Sequence, residues 1–257
     1  MKTILEGTQI KKVYHTGGTT FETLKGIDLQ IQEGEFIGIM GPSGSGKTTL
    51  LNVLSTIDQA TSGEILINGE DIVKMNDDTL ALFRRNHLGF VFQDYNLLDT
   101  LTVKENIALP LALSKVKATD INRCVLELAK KFGIDHISHQ FSYQISGGQK
   151  QRCAASRAII TNPSVIFADE PTGALDSKAA TDLLESMQAL NTQDHATILL
   201  VTHDAFAASY CKRVIFIKNG EIYKELLRED LGRRRPFFQQ IVSIMSEVSG
   251  GMIDDII

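Results

Sequence analysis

The chain has few cysteines, no long apolar run and no excess of basic charge, and each shortage narrows what it can be. Cys124, Cys153 and Cys211 are odd in number and far apart among 257 residues. They offer neither a disulfide framework nor zinc-ligand spacing, and they fit a reducing compartment. No apolar stretch approaches the ~20 residues that span a bilayer. The opening Met1-Lys2-Thr3-Ile4-Leu5-Glu6 meets an acid at once and lacks the apolar core of a signal peptide. A formal net charge of −5 leaves no general electrostatic footprint for nucleic acid. Internal repeats and low-complexity segments are missing as well. These features predict a cytosolic chain, one large domain or a domain with a subdomain, whose membrane contact would be made through a partner.

What is present starts with Gly41-Pro42-Ser43-Gly44-Ser45-Gly46-Lys47-Thr48-Thr49. It fits the phosphate-loop pattern G-x-x-x-x-G-K-[ST]. The apolar run Phe36 to Met40 precedes it and the helix-prone Leu50 to Leu54 follows, the strand–loop–helix setting that the pattern needs. Glycines let several amides converge on one anion, and the helix adds its positive end. Lys47 would reach the β- and γ-phosphates of a nucleotide, and the Thr48 hydroxyl would hold Mg²⁺.

Around this loop the pattern is that of an α/β protein. Ile27, Leu29 and Ile31 alternate as in a half-buried strand. Ile65-Leu66-Ile67 runs into the hairpin signal Asn68-Gly69. Leu88 to Phe92, Val165 to Ala168 and Thr197 to Val201 read as buried strands, with a helix marked by Leu183, Leu184, Met187 and Leu190 between the last two. Such alternation favours parallel strands with helices on both faces. Val214 to Lys218, Asn219-Gly220 and Glu221 to Leu226 read as a closing hairpin. The stretch from about 99 to 160 differs: Ile121, Val125, Leu128 and Phe132 sit at helical spacing and Gly133 is a C-terminal cap. It reads as a helical insertion.

Two more constellations carry chemistry. Val165-Ile166-Phe167-Ala168-Asp169-Glu170 is an apolar strand ending in two acids. At the carboxyl end of a parallel strand such acids face the ligand crevice. Asp169 would hold Mg²⁺ through water, and Glu170 would polarise the attacking water. A strand that merely exits into an acidic turn is the bland alternative, and the phosphate loop weighs against it. In Ile145-Ser146-Gly147-Gly148-Gln149, Ser146 can cap a helix running to about Ile160, and the glycines leave its start open to an anion. Taken alone this is equally an ordinary N-cap.

With all three elements in one chain, the sequence resembles the ATP-binding subunit of ABC transporters, over almost its whole length. The resemblance implies an α/β phosphate-loop NTPase fold of the ABC ATPase type. It would have a mostly parallel sheet core, an antiparallel β subdomain and a helical subdomain of about 99–160. Residues 1–232 would form this domain, with an amphipathic tail over 233–257. It implies two ATP molecules sandwiched in a head-to-tail homodimer, with Ser146, Gly147, Gly148 and Gln149 meeting the γ-phosphate bound by the opposite subunit. Tyr14, following the first strand, matches an aromatic that stacks on adenine, though strands also end in ordinary tyrosines. Gln93 matches a glutamine that reaches Mg²⁺ and the water and links the site to a transmembrane permease. Asp176 matches a loop crossing the dimer interface, and His203 a histidine on the γ-phosphate that assists Glu170. ATP and Mg²⁺ are the implied ligands, and the cytoplasmic face of the membrane the implied place.

Within that family the chain is similar to the branch of macrolide exporters, lipoprotein-release complexes and peptide-resistance transporters. Ala168 to Ser177 and Ser62-Gly63-Glu64 carry this likeness. Phe92 to Ile107, Ala207 to Cys211 and the tail with Phe237-Phe238 look like the bacitracin-resistance group. There two ATPase copies serve one large permease, which also pairs with a sensor histidine kinase, and the complex resists bacitracin or lantibiotics. Ile145, Gln144, Ser142, Cys153 and Ser156 depart from the usual pattern around the signature, away from the ATP chemistry. Division-type ATPases tend to lack such a tail, DNA-repair members carry a coiled-coil insertion, and translation members carry two ATPase units. In the tail, Pro236 suits a helix start, and Phe237, Ile241, Ile244, Met245 and Val248 make an apolar face. That face either packs on its own domain or reinforces an assembly.

Overall fold

The computed structural model describes residues 2–114, 116–229 and 233–250. The chain opens with β1 (Thr3–Thr16), β2 (Thr19–Gln32) and β3 (Phe36–Met40), then α1 (Lys47–Leu54). β4 (Ser62–Ile67), β5 (Glu70–Asp71), α2 (Asp77–His87) and β6 (Leu88–Phe92) follow. Next come α3 (Val103–Leu113), α4 (Ala118–Lys131) and α5 (Gly147–Ile159). β7 (Val165–Asp169), α6 (Ser177–Gln193), β8 (Ile198–Val201), α7 (Ala205–Ala208), β9 (Arg213–Lys218), β10 (Glu221–Leu227) and α8 (Arg234–Gly250) complete it.

The strands form two sheets, in the orders β2-β1-β4-β5 and β10-β9-β3-β8-β7-β6. The first is antiparallel. In the second, β9, β3, β8, β7 and β6 run parallel and β10 is antiparallel at one edge. Alternate residues of the parallel strands feed two cores. Phe36, Met40, Ile166, Ala168, Ile198, Leu200, Val214 and Phe216 face one, with Leu183, Leu184, Met187 and Leu190 of α6. Ile37, Ile39, Val165, Phe167, Leu199, Val201, Ile215 and Ile217 face the other, with Leu50, Leu51, Val53 and Leu54 of α1 and the apolar face of the antiparallel sheet. Strands buried on both faces explain why they read as unbroken apolar runs.

The segment read as a helical insertion folds as α3, α4 and α5, joined through short 3₁₀ turns at Asp135–Ile137 and Ser142–Gln144. A Thr102–Glu105 capping box starts α3, and buried Asn106 binds the backbone of Leu98, Leu101 and Thr102. Gly133, at φ 64, ends α4 as the sequence implied.

α8 lies on α7 and β9. Phe237, Ile241, Ile244 and Val248 are fully buried in the first core, and the Arg234 guanidinium stacks 4.4 Å over the Tyr210 ring. The tail helix is therefore packed on its own domain. It begins two residues before Pro236, which occupies the first turn, where no amide is needed. The expected boundary between 232 and 233 and the last tail residues, 251–257, touch or fall outside the described residues. Among the described residues no helix is long and apolar enough to cross a membrane.

Candidate active site

The parallel sheet gathers the expected site residues at one end. β3, β8, β7 and β6 are successive neighbours, and their carboxyl ends release the phosphate loop, His203, Glu170 and Gln93 in that order. Register fixes their level: Asp169 pairs with Phe92 on one side and Val201 on the other. Residues as distant as 47, 93, 170 and 203 so become neighbours along one sheet edge.

The phosphate loop ends at Gly46, whose φ of 106 suits glycine and whose α-carbon packs against the Thr23 carbonyl, 2.9 Å from where a Cβ would sit. Lys47 opens α1 and folds back, its Nζ donating to the Gly41 and Pro42 carbonyls at 2.9 Å each. Burial lowers the Lys47 pKa, while Glu170 and Asp169 pull it up. The Ser45 hydroxyl is buried with no hydrogen-bond partner. Thr48 and Ser43 are exposed at the rim.

Asp169 ends β7, and its Oδ1 is buried without a partner. Burial first, then the neighbouring Glu170, raises its pKa, and Lys47 only partly opposes them. A buried carboxylate oxygen with no donor of its own is suited to a hard cation. Among the described residues no three His, Cys, Asp or Glu side chains cluster to hold a metal. A Mg²⁺ site here would combine this carboxylate with hydroxyl, water and phosphate oxygens, the mixed set that ion favours.

Glu170 adopts φ 45, an uncommon conformation that turns its side chain towards β8. Its Oε1 accepts from the His203 amide at 3.0 Å and lies 2.7 Å from His203 Nδ1. Its Oε2 accepts from the Thr202 hydroxyl at 3.0 Å. That hydroxyl itself accepts from the Asp204 amide, so its single proton is committed to Glu170. A carboxylate beside Nδ1 favours a proton on that nitrogen.

Gln93 leaves β6 and lies against Gly173, where a Cβ would stand 3.1 Å from its amide. The following Tyr95 and Asn96 have φ 61 and 48. Arg157 of α5 holds this strained bend by donating to the Asn96 and Tyr95 carbonyls at 2.6 and 3.0 Å. Buried Gln151 of the same helix donates to the Phe92 carbonyl.

The signature residues lie apart from this row. Ser146 caps α5 in a box with Gln149, and Gly147 and Gly148 make the first turn. A Cβ on Gly147 would meet the Tyr95 hydroxyl at 2.9 Å, and one on Gly148 would meet Ala179 at 2.8 Å. Asp176 caps α6 through the Ala179 amide at 2.8 Å. Ser146, Gly147, Gly148 and Asp176 line one groove with Leu175 and Arg152, and no phosphate-loop residue reaches it. Tyr14 is within β1, paired with Phe21, and does not follow the strand as the sequence suggested. Its hydroxyl donates to Asp58.

Sequence reasoning passed over Thr202, Tyr95, Gln151, Arg157, Lys12 and Asp58. Thr202 stands beside His203 in sequence, so position alone could have raised it. The others act through contacts across 44 to 62 residues of chain, for which spacing carries no signal.

A phosphate loop at the amino end of a helix, paired acids ending the adjacent sheet and a glycine-opened helix define a nucleotide-binding ATPase of the phosphate-loop class. The family described as ABC transporter matches residues 24–173, more than half of the chain. The chain belongs to that family, as the ATP-binding subunit with ABC-type ATPase activity. It is 54% identical over 98% of its length to the bacitracin export ATP-binding protein BceA of Halalkalibacterium halodurans, covering 99% of that protein. It is 40% identical over 98% of its length to a macrolide export ATP-binding/permease protein MacB of Wolinella succinogenes, covering 39% of that longer protein. Among solved structures, the dimeric ATP-binding cassette MJ0796 bound to ADP and Pi matches with TM-score 0.80 and 38% identity, over 87% of this chain and 98% of that one.

Proposed function

We propose that the chain drives a permease conferring resistance to cell-wall-active antimicrobial peptides of the bacitracin or lantibiotic type. Residues 1–232 would be the ATPase domain, the 99–160 segment its signature-bearing part, and 233–257 a tail serving the same domain. Two copies would form a head-to-tail pair on the cytoplasmic face of the membrane, and the permease would link them to a sensor histidine kinase. Support for the peptide class comes from the 54% identity to a bacitracin export protein, which extends over 98% of the chain and so includes the tail.

Phosphoryl transfer leaves the protein mainly positioning and electrostatic work. Gly41 to Thr49 would wrap the phosphates, with Lys47 leaving the Gly41 and Pro42 carbonyls for the β- and γ-oxygens. Asp169, Thr48 and Gln93 would hold Mg²⁺. That ion, when bound, supplies positive charge against the phosphate oxygens. Glu170 would orient the water and take its proton, and His203 would steady Glu170 and meet the γ-phosphate. Ser146, Gly147, Gly148 and Gln149 would close on the phosphate bound by the other copy, with Asp176 beside them. The observation that carries the hydrolytic reading is Glu170 held by three donors at the end of β7.

The test is drug susceptibility of the source bacterium carrying chromosomal Glu170→Gln, across bacitracin, lantibiotics, macrolides and an unrelated cytosolic drug. Selective loss of resistance to a cell-wall peptide is expected. Loss confined to macrolides would assign it to the macrolide-export branch. Unchanged susceptibility throughout would overturn the resistance role and favour lipoprotein release or a division-type mechanical role.

A further inference from the structure

We propose that Lys12 and Asp58 are positioning residues that lock the Tyr14 ring into a one-faced platform for the nucleotide base. The inference rests on the reading of Tyr14 as that platform and adds what holds it.

An exposed tyrosine near a strand end rotates freely about two torsions unless something restrains it. Tyr14 is 38% exposed, yet its hydroxyl is held, donating to Asp58 Oδ2 at 2.7 Å. Asp58 belongs to the turn that leaves α1, and its amide, like that of Ile57, donates to the Asn52 carbonyl. α1 is the helix that the phosphate loop leads into. The ring is thus tied to the element that grips the phosphates, and the distance between the two ends of a nucleotide is set by one helix.

Asp58 is itself held from its other oxygen. Oδ1 accepts from Lys12 Nζ at 2.6 Å and from the Gln59 amide at 2.7 Å. Lys12 is only 9% exposed, and its Nζ also donates to the Gln59 carbonyl. The same ammonium stands 4.8 Å from the centroid of the Tyr14 ring. It covers one face of the ring, so a base would stack on the opposite one.

Protonation agrees with this arrangement. Burial acts to raise the Asp58 pKa, but hydrogen bonds from Lys12 and Tyr14 outweigh it and keep the carboxylate below its ordinary value. Burial and Asp58 raise the Tyr14 phenol, which remains a donor.

A platform fixed in advance saves the ordering entropy otherwise lost on binding. The restraint acts on the ring and not on base edges, so purine identity should not matter: stacking tolerates any base.

The test measures binding to the full chain of MgATP, MgGTP and Mg-tripolyphosphate, which lacks a base, for Tyr14→Phe, Asp58→Ala, their double variant and Tyr14→Ala. Tyr14→Phe keeps the ring, removes only the tether and leaves the buried groups intact. Having to order one freed side chain on binding implies a loss of about two- to twelvefold for ATP and GTP alike in Tyr14→Phe and Asp58→Ala. The double variant should be no worse than either single one, since both cut the same link. Tripolyphosphate affinity should be unchanged. Unaltered ATP affinity in Tyr14→Phe with loss in Tyr14→Ala would overturn the lock and spare the platform. Unaltered affinity in Tyr14→Ala would overturn the platform itself. Equal loss of tripolyphosphate binding in Asp58→Ala would make Asp58 a support of α1 and overturn its role towards the base.

Discussion

Nδ1 of His203 stands 2.7 Å from Oε1 of Glu170, and the amide of the same histidine donates to that oxygen. One residue thus holds the carboxylate by backbone and side chain together, and Thr202 beside it holds the other oxygen. The turn after β8 is built around Glu170.

Glu170→Gln should bind ATP as the wild type does and lose turnover. General-base catalysis contributes roughly 10²–10⁴-fold, so the rate should fall by at least about a hundredfold. Equilibrium ATP binding and steady-state hydrolysis measured side by side check it; turnover near wild type would remove Glu170 from its role.

Thr202→Val replaces a hydroxyl by a methyl at a fully buried position of the same shape. Glu170 Oε2 and the Asp204 amide each lose a partner. We expect kcat to fall about tenfold with KM little changed, because the hydroxyl's two partners are the Glu170 carboxylate and the Asp204 amide. Thr202→Ser, which keeps the donor, should restore most of the rate. A Thr202→Val rate near wild type would mean that packing is the whole role.

Gly148→Ala should lower the melting temperature, because the new Cβ would lie 2.8 Å from the Ala179 β-carbon, which cannot move without its backbone. Adding Ala179→Gly removes that carbon; the next atom, the α-carbon, is 3.9 Å away. The double variant should regain part of the lost stability. Hydrolysis should stay low, since a side chain in the first turn of α5 would still obstruct the phosphate that the other copy is proposed to present there. Thermal melts paired with ATPase rates separate the two effects.

The α8 face makes a prediction about stability alone. Phe237→Ala or Ile241→Ala deletes a fully buried side chain, and such changes cost about 2–5 kcal/mol. Val242→Ser, on the exposed side of the same helix, should be close to neutral. Denaturant unfolding of the three variants tests whether the helix belongs to the domain core. Equal small effects would contradict that packing.

The thiols should differ sharply in reactivity. Burial pushes the Cys153 pKa up to about 12 and raises that of Cys211 as well, and both are fully buried. Cys124 is partly exposed. At pH 8 an alkylating reagent should modify Cys124 in the native protein and the other two only after unfolding. A thiol whose pKa rises on folding stabilises the folded state fully below its ordinary value, and that contribution fades as pH climbs towards the folded value. Stability should therefore decline from about pH 8.5 upward. Rapid labelling of three thiols in the native state would contradict this.

Much of the architecture was legible along the chain. Phe36 to Met40, Val165 to Ala168 and, after Thr197, Ile198 to Val201 read as strands because both their faces are buried and every position is apolar. Asn68-Gly69 and Asn219-Gly220 marked hairpins because both residues take positive φ there. The α8 pattern was readable as a helix with one apolar face, but not its partner, since periodicity gives a face without saying what covers it. Tyr14 was misplaced by a short distance because β1 runs on to Thr16, through polar residues that carry no burial signal.

The sequence by itself determined the chemistry of the site. Gly41 to Thr49, Asp169-Glu170 and Ser146 to Gln149 are local patterns whose residue types and spacing carry the proposed machinery. Only the tertiary structure decided what holds that machinery in place. The hold of Thr202 and His203 on Glu170, of Arg157 on the bend after Gln93 and of Asp58 on Tyr14 joins residues 32 to 62 positions apart. A hydrogen bond needs two groups within about 3 Å and in line, and sheet order and helix packing, not sequence distance, bring them there.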